Sequence, residues 1–193
     1  MLGLKLPTDP RWVNIVEKNI DEILTDHAFC EQKAASTAIS LIVSFPEFPE
    51  LVSEMVALSR EEMGHFKMVH DRIVARGKTL GKYRKDEYVI ALMKFFPNGG
   101  SRIDQLVHRL LYAALIEARS CERFRLLSEA LKDADLAEFY RKLMISEAGH
   151  YTLFLNFARQ FGKREIVDQK WQALLTYEAE IMKNLGTKET VHG

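Results

Sequence analysis

The sequence is poor in cysteine, proline and glycine, and it carries no net charge. It contains 2 cysteines, 5 prolines and 10 glycines in 193 residues, and its 27 basic side chains match its 27 acidic ones. Two cysteines in a sequence without a recognisable signal peptide exclude a disulfide-stapled scaffold and favour a reducing, cytoplasmic location. The charge balance argues against a protein that coats nucleic acid or anionic membrane by bulk electrostatics, although it permits a local basic patch.

Long uninterrupted apolar runs are also missing. No segment approaches the roughly 20 apolar residues that span a bilayer, so we expect no membrane partner. A chain of this length buries roughly 70% of its unfolded surface, which is enough for one full-sized core without disulfides. The prediction is therefore one soluble domain over residues 1–193.

Helical periodicity is what the sequence has in abundance. Apolar residues recur at steps of three and four over long stretches, which is the period of an α-helix, and no segment alternates as a strand does. Few helix breakers fall inside these stretches: no proline does, and Gly64 and Gly149 are the two glycines that do. The pattern predicts four long helices over about 12–42, 51–73, 106–131 and 136–161, a short helix within 86–96, and a further helix over about 164–185.

The connections between these helices suggest the fold class. Two tight turns and one longer crossover between four long amphipathic helices are typical of a ferritin-like four-helix bundle. The predicted fold is therefore all-α, with a bundle over about residues 10–162, a long crossover that begins in the polar, basic stretch 76–85, and an additional C-terminal helix. The tail from Gly186 is expected to be poorly ordered.

Each long apolar stripe is interrupted near its middle by side chains that bind metals. The string E-x-G-H occurs twice, at residues 62–65 and 147–150. The spacing of three residues places each glutamate and its histidine on one helix face, one turn apart. Glu31 and Glu117 lie on the apolar stripes of the first and third long helices.

The spacing of these groups indicates an internal repeat. Glu31 precedes Glu62 by 31 residues, and Glu117 precedes Glu147 by 30. The two halves are offset by 86 residues for the lone glutamates and by 85 for both members of the Glu-His pairs. Because a helix rises about 1.5 Å per residue, the glutamates of each hairpin lie at one height above its turn. We therefore expect all six groups to converge.

The chemistry of this set predicts a metal centre. Four carboxylates in an apolar interior would cost several kcal/mol each, or would take up protons, unless cations neutralise them. Two divalent ions balance four carboxylates, and four Glu with two His is the pattern of di-iron and di-manganese carboxylate proteins. The predicted cofactor is two iron ions, with manganese as an alternative, and the predicted ligands are Glu31, Glu62, His65, Glu117, Glu147 and His150.

Two further glutamates and one histidine lie close to the predicted ligands in the sequence. Glu122 is the main rival of Glu117, but it breaks the repeat offset by five residues. Glu61 points off the stripe and is expected to be solvated. His27 lies one turn from Glu31, where it supports that ligand or, as we favour here, simply packs in the core.

Other side chains allow two interpretations each. The stretch 76–85 is either a solvated loop or a contact for a phosphate backbone, with an aromatic ring for stacking. Arginines on the third long helix, near the level of Glu117, are candidates to line an approach to the metals. Cys30 and Cys121 are expected to be small buried fillers, and Tyr140 and Tyr151 to pack. The candidate substrate-binding residues are Arg76, Lys78, Lys82, Tyr83, Arg84, Lys85, Arg119 and Arg123.

Four segments around the predicted ligands resemble the MiaE-type tRNA hydroxylases. These segments are Glu31–Ser36, Ser59–His65, Ile116–Arg123 and Ser146–Tyr151. The similarity extends over residues 8–185 and preserves every ligand position. In that family the fold is ferritin-like, and the activity is O₂-dependent hydroxylation of the isopentenyl group on 2-methylthio-isopentenyladenosine beside the tRNA anticodon.

The resemblance implies a di-iron monooxygenase in which the six predicted ligands bind iron. It further implies tRNA as the substrate, O₂ as co-substrate and an external electron donor such as a ferredoxin with its reductase. Two other classes share parts of the pattern. One is a ferritin-like ferroxidase or peroxide-detoxifying protein without an organic substrate, and the other is a metal-free helical scaffold.

Overall fold

The computed structural model describes residues 2–97, 99–185 and 190–191. Within these residues the chain forms seven helices and no strand, as the all-α prediction requires. The helices are α1 (Trp12–Lys18), α2 (Ile20–Ser44), α3 (Pro49–Ala75), α4 (Glu87–Met93), α5 (Arg102–Ala130), α6 (Ala134–Phe161) and α7 (Arg164–Leu185).

The described residues form two compact units. The α2–α3 unit contains residues 18–85 together with Thr190 and Val191, and α2 packs along α3 within it. The α5–α6 unit contains the described residues of the ranges 1–17 and 86–188. Within this second unit α5 packs along α6, and α4 and α6 contact α7.

The first predicted long helix is divided in the structure. Asn19 has φ −134° and ψ 37°, outside the helical region, so that α1 ends at Lys18 and α2 begins at Ile20. The prediction of one continuous helix over 12–42 is wrong at this position. The apolar stripe runs on through the break, with Val16, Ile23 and Leu24 all buried, and periodicity alone therefore does not reveal it.

Local capping chemistry sets most other boundaries. Pro49 occupies the first turn of α3, where its missing N–H costs nothing. Beyond the end of α3, Gly77 takes φ +71°, and its N–H and that of Lys78 bond back to the carbonyls of Val74 and Ile73. This is the Schellman arrangement that ends many helices. The second predicted helix does stop near Gly77.

The α5–α6 unit uses side-chain caps. Ser101 and Asp104 form a capping box at the start of α5, with each side chain accepting a bond from the other residue's backbone N–H. Asp133 accepts bonds from the N–H groups of Asp135 and Leu136, so α6 starts at Ala134, two residues before the predicted start at 136. The last helix, α7, has the predicted bounds.

Most of the tail that is predicted to be poorly ordered, residues 186–189 and 192–193, lies outside the described residues. Val191 is described and is buried, with 1% of its surface exposed. Its backbone N–H donates to Asp26 Oδ2 of α2 at 2.7 Å.

Candidate metal centre

The α2–α3 unit gathers three of the predicted ligands. Glu31 comes from α2, and Glu62 and His65 come from one face of α3. One ligand atom from each of the three lies within 4.8 Å of the others. His65 Nδ1 is 3.3 Å from Glu62 Oε2 and 3.5 Å from Glu31 Oε2. All three side chains are buried, and we call this group the Glu31 half-site.

The α5–α6 unit gathers the other three in the same way. Glu117 comes from α5, and Glu147 and His150 come from α6. Their ligand atoms also lie within 4.8 Å of one another. His150 Nδ1 is 3.4 Å from Glu147 Oε2, and each of the three residues is 5% exposed or less. This group is the Glu117 half-site.

Each half-site has the donor set of a hard or borderline divalent metal. Two carboxylates and one imidazole offer oxygen and nitrogen ligands, which suit iron or manganese better than a thiolate-loving metal. Burial disfavours the charged imidazole, but hydrogen bonds to Glu31 and Glu62, with their charges, prevail and raise the pKa of His65 to about 10. The buried carboxylates thus favour a positive charge beside them, which either a protonated His65 or a bound metal ion would supply.

Within each unit the structure brings the predicted ligands close together. The i, i+3 spacing of each E-x-G-H string brings its glutamate and histidine together, and each lone glutamate reaches its own pair. The convergence of all six residues on one centre stays a prediction.

Glu117 and Glu122, the alternative candidate ligand, have different neighbours in the structure. Glu122 accepts hydrogen bonds from the backbone N–H of Thr8 at 3.0 Å and from the Thr8 hydroxyl at 2.7 Å. Arg119 Nη1 donates to the same carboxylate at 3.0 Å. Glu122 therefore forms a structural ion pair, whereas Glu117 lies beside Glu147 and His150, the predicted metal ligands. Glu61 is exposed, as predicted.

His27 contradicts the favoured interpretation of a histidine that only packs. Its Nε2 lies 2.6 Å from Glu31 Oε1, and the ring is completely buried. The histidine therefore contacts a predicted ligand directly.

Arg119 and Arg123 are not available to a substrate. Both are 0% exposed. Arg119 donates to Glu178 Oε1 through Nε at 2.9 Å and through Nη2 at 2.6 Å. The Arg123 guanidinium carbon lies 4.3 Å from the centre of the Trp12 ring, and burial lowers the pKa of Arg123 to about 10. The prediction that these two arginines contact substrate is wrong, because neither side chain reaches the surface.

Glu178 is a buried acid outside the set of predicted site residues. It lies on α7 with no exposed surface and accepts hydrogen bonds from Arg119 and from the Tyr88 hydroxyl at 3.1 Å. A signal was present, because Glu178 follows Trp171, Leu174 and Leu175 at the spacing of the apolar stripe. A charged residue on such a stripe calls for a buried partner.

The basic stretch 76–85 is mostly exposed but is partly neutralised. Arg76 Nε lies 2.7 Å from Asp21 Oδ1, and Lys78 Nζ lies 3.2 Å from Oδ2 of the same carboxylate. Arg84 Nη1 lies 3.5 Å from a carboxylate oxygen of Glu22. Three of the five basic residues in this stretch therefore have an acidic partner, and the other two are Lys82 and Lys85.

The remaining basic residues of this stretch flank an exposed tyrosine in the sequence. Lys82 and Lys85 are exposed, and Tyr83 is 53% exposed. The Tyr83 ring packs edge-on against Phe29 with a centroid distance of 5.6 Å, and Lys33 Nζ lies 5.5 Å from its centre. The ring is thus held in place with one part open to solvent.

The cysteines and Tyr140 mostly have the packing roles expected from the sequence. Cys121 is buried and its thiol donates to the Met144 carbonyl at 3.3 Å, whereas Cys30 is only half-buried. Tyr140 packs against Phe124, with ring centroids 5.2 Å apart. Among the described residues, no helix is long and apolar enough to cross a membrane.

Comparison with known proteins places the chain among close relatives. A family model described as tRNA-(MS2IO6A)-hydroxylase (MiaE) matches residues 2–193. A tRNA 2-(methylsulfanyl)-N(6)-isopentenyladenosine(37) hydroxylase of Pseudomonas putida is 34% identical over 181 residues, which cover 94% of this chain and 87% of that protein. The protein of the same name from Salmonella typhimurium is 30% identical and covers 84% of this chain and 77% of its own length.

A solved structure is similar to the whole chain. It is titled Protein 43 with aldehyde deformylating oxygenase activity, from Synechococcus. It is 32% identical, covers 98% of this chain and 95% of its own, and has a TM-score of 0.91. The predicted fold class, all-α and ferritin-like, is confirmed.

Proposed function

The chain belongs to the MiaE family of tRNA hydroxylases, and we propose that it hydroxylates the isopentenyl group of 2-methylthio-isopentenyladenosine beside the tRNA anticodon. The observation that supports this most directly is the pair of buried half-sites, each with two glutamates and one histidine. The proposed enzyme is a non-haem di-iron monooxygenase, and its proposed location is the cytoplasm.

The two half-sites together would hold two iron ions, with manganese as an alternative occupant. Their four carboxylates balance the charge of two divalent ions, which removes the cost of burying four negative charges. Each E-x-G-H string supplies two ligands from a rigid helix, so the ligand geometry is set by the backbone before metal binds.

Bound iron would supply the redox chemistry: O₂, two electrons and two protons convert the C–H bond to C–OH and release one water molecule. The electrons come from an external donor such as a ferredoxin and its reductase. The chain itself keeps bulk water away from the proposed ligands, because each of these residues is at most 6% exposed.

The exposed basic stretch is the proposed contact for the tRNA body. Lys82 and Lys85 are exposed cations on either side of the half-exposed Tyr83 ring. Lysines bind phosphates, and aromatic rings stack on the unpaired bases of RNA loops. The three other cations of the stretch have acidic partners on α2 and contribute less net attraction.

The test of this function combines iron analysis with nucleoside analysis. Protein loaded anaerobically with Fe(II) should bind two iron ions per chain. After addition of O₂, a working reductant and tRNA that carries the isopentenylated nucleoside, mass spectrometry should detect one added oxygen atom on that nucleoside. Unmodified nucleosides with a fully loaded, reducible protein would refute the hydroxylase. Many irons per chain would favour a storage protein or ferroxidase instead.

Ligand variants connect the activity to the half-sites. Glu62→Ala and His150→Ala, one from each half-site, should lower iron content and hydroxylation while the helical circular dichroism signal persists. Glu54→Ala, an exposed glutamate on α3, is the matched control and should retain both. Unchanged iron content in the two ligand variants would remove those residues from the proposed centre.

A further inference from the structure

The contact between His27 and Glu31 is a feature of the Glu31 half-site that the ligand pattern does not explain. The two residues are one turn apart on α2, and His27 Nε2 lies 2.6 Å from Glu31 Oε1. His27 is 0% exposed and Glu31 is 4% exposed. Water competes little with such a buried bond, so the contact restricts the carboxylate strongly.

The two oxygens of Glu31 face different partners. Oε1 meets the His27 ring, whereas Oε2 is directed to the predicted ligand His65, whose Nδ1 is 3.5 Å away. With Nε2–H as the donor, the bond holds Oε1 and leaves Oε2 toward the other ligand atoms. Histidine tautomers are set by such partners, and this one would fix which carboxylate oxygen is left to bind a metal ion.

The internal repeat places no histidine at the equivalent position of the other half-site. The offset of 86 residues that relates Glu31 to Glu117 relates His27 to Ala113. Ala113 lies one turn before Glu117 on α5 and is buried, with 5% of its surface exposed. A methyl group cannot donate a hydrogen bond to a carboxylate, so the two half-sites differ at equivalent positions.

We propose that His27 is a positioning residue that orients Glu31 through a hydrogen bond and thereby makes the metal position of the Glu31 half-site distinct from that of the Glu117 half-site. The proposal rests on the proposed di-iron centre. A hydrogen-bond partner of a metal ligand typically changes metal affinity by about 10- to 100-fold when it is removed. The effect should be confined to one of two metal positions.

The test uses two substitutions that separate the hydrogen bond from the volume of the ring. His27→Leu fills much of the space without a donor, whereas His27→Gln places an amide N–H near the position of Nε2. His70→Leu is the control, because His70 lies on α3 in the same unit and stacks on Phe66 with a centroid distance of 6.1 Å. Each protein is titrated anaerobically with Fe(II), and Mössbauer spectra are recorded on the loaded forms.

We expect the wild type and His70→Leu to bind two irons per chain, with two distinguishable Mössbauer signals. His27→Leu should bind one iron as before and the second about 10- to 100-fold more weakly, with a change in only one of the two signals. His27→Gln should restore most of the affinity and the signal. Circular dichroism checks that every variant keeps its helical content.

Two results would overturn the proposal. One is a His27→Leu protein with unchanged iron affinity and unchanged spectra. The other is a helical His27→Gln protein that loses iron as fully as His27→Leu, since packing rather than hydrogen bonding would then be responsible. If His27→Leu does not fold, the proposal is tested by comparing His27→Gln with wild type. Altered Mössbauer spectra in His27→Gln would then count against the hydrogen bond. A wild type that binds no iron would instead refute the di-iron centre itself.

Discussion

Two glutamates on α5, five residues apart, illustrate how differently buried acids are used. Glu117 lies with Glu147 and His150, whereas Glu122 accepts bonds from Arg119 and Thr8. Both are at most 5% exposed. Their burial is therefore similar, and the chemistry of their neighbours distinguishes the predicted metal ligand from the structural ion pair.

This distinction leads to opposite expectations for two alanine variants. Glu122→Ala leaves Arg119 without one of its two acidic partners in the interior, and breaking a buried ion pair costs about 3–5 kcal/mol. Its melting temperature should fall while its iron content per folded chain stays unchanged. Glu117→Ala should lose iron with a much smaller effect on the stability of the iron-free protein. Thermal melts of apoprotein and iron analysis measure both quantities.

If Glu122→Ala instead lost iron and Glu117→Ala did not, the assignment of the two residues would have to be exchanged. Glu129→Ala is a suitable control. This glutamate is exposed near the end of α5 and pairs with Arg125, a contact that is worth about 0–1 kcal/mol at a surface.

Cys121 provides a second expectation for a single residue. Burial, with the nearby carboxylates of Glu147 and Glu122, raises the pKa of its thiol to about 12. At pH 8 the thiol is therefore almost entirely protonated, and the thiolate is the reactive form. Iodoacetamide should leave Cys121 unmodified in the native protein and alkylate it in denaturant, as peptide mass spectrometry would detect. Rapid alkylation in the native state would contradict the described burial.

The glycine of each E-x-G-H string is not required by the packing of its helix. A Cβ added to Gly64 or Gly149 would meet nothing within 4 Å. Helical backbone does not require glycine, and glycine inside a helix is less stable than alanine by about 0.5–1 kcal/mol. The ligand geometry therefore needs the glutamate and the histidine at their spacing but not the glycine between them.

Gly149→Ala should consequently stabilise the protein by about 0.5–1 kcal/mol without a change in iron content. Gly162, at the end of α6, is the matched contrast, because a Cβ there would lie 2.6 Å from Val167 Cγ2 and 3.1 Å from Val107 Cγ2. Crowding of this kind costs about 1–3 kcal/mol, so Gly162→Ala should destabilise. Denaturant unfolding of the iron-free proteins would reveal the opposite signs, and equal signs would contradict the packing described around these glycines.

For the molecule as a whole, the zero net charge conceals an uneven distribution. Among the described residues, seven acidic side chains but only two basic ones are buried. The groups outside this buried set therefore include five more basic than acidic side chains (7 − 2). A mild excess of positive charge on the outside suits an RNA partner better than the overall count suggests.

The double variant Lys82→Ala/Lys85→Ala tests where that excess is used. If both lysines contact phosphates, tRNA affinity should fall by about 10-fold, and the slope of log affinity against log salt should decrease by roughly 1 to 2. Lys67→Ala/Lys142→Ala removes the same charge from exposed positions with acidic neighbours and should have little effect. Filter binding at several salt concentrations measures both. Equal losses in the two double variants would indicate general electrostatics rather than a contact in the basic stretch.

The sequence by itself determined the features that depend on local spacing. Helical period, capping residues and the three-residue separation of glutamate and histidine are short-range properties, so they predicted α7 and the stop of α3 near Gly77. The same spacing identified each half-site, because two helices joined by a tight turn must face each other. Resemblance to the family added the activity.

Only the tertiary structure decided what depends on contacts between distant segments. The partners of Arg119 come from α5, α7 and the N-terminal segment, up to 113 residues away, so periodicity could not distinguish this buried arginine from a surface one. The pairing of the basic stretch with acids of α2 and the bond from His27 to Glu31 were undecided for a related reason. Periodicity places a side chain on a face of its helix, but packing and rotamer choice determine which atoms it meets there.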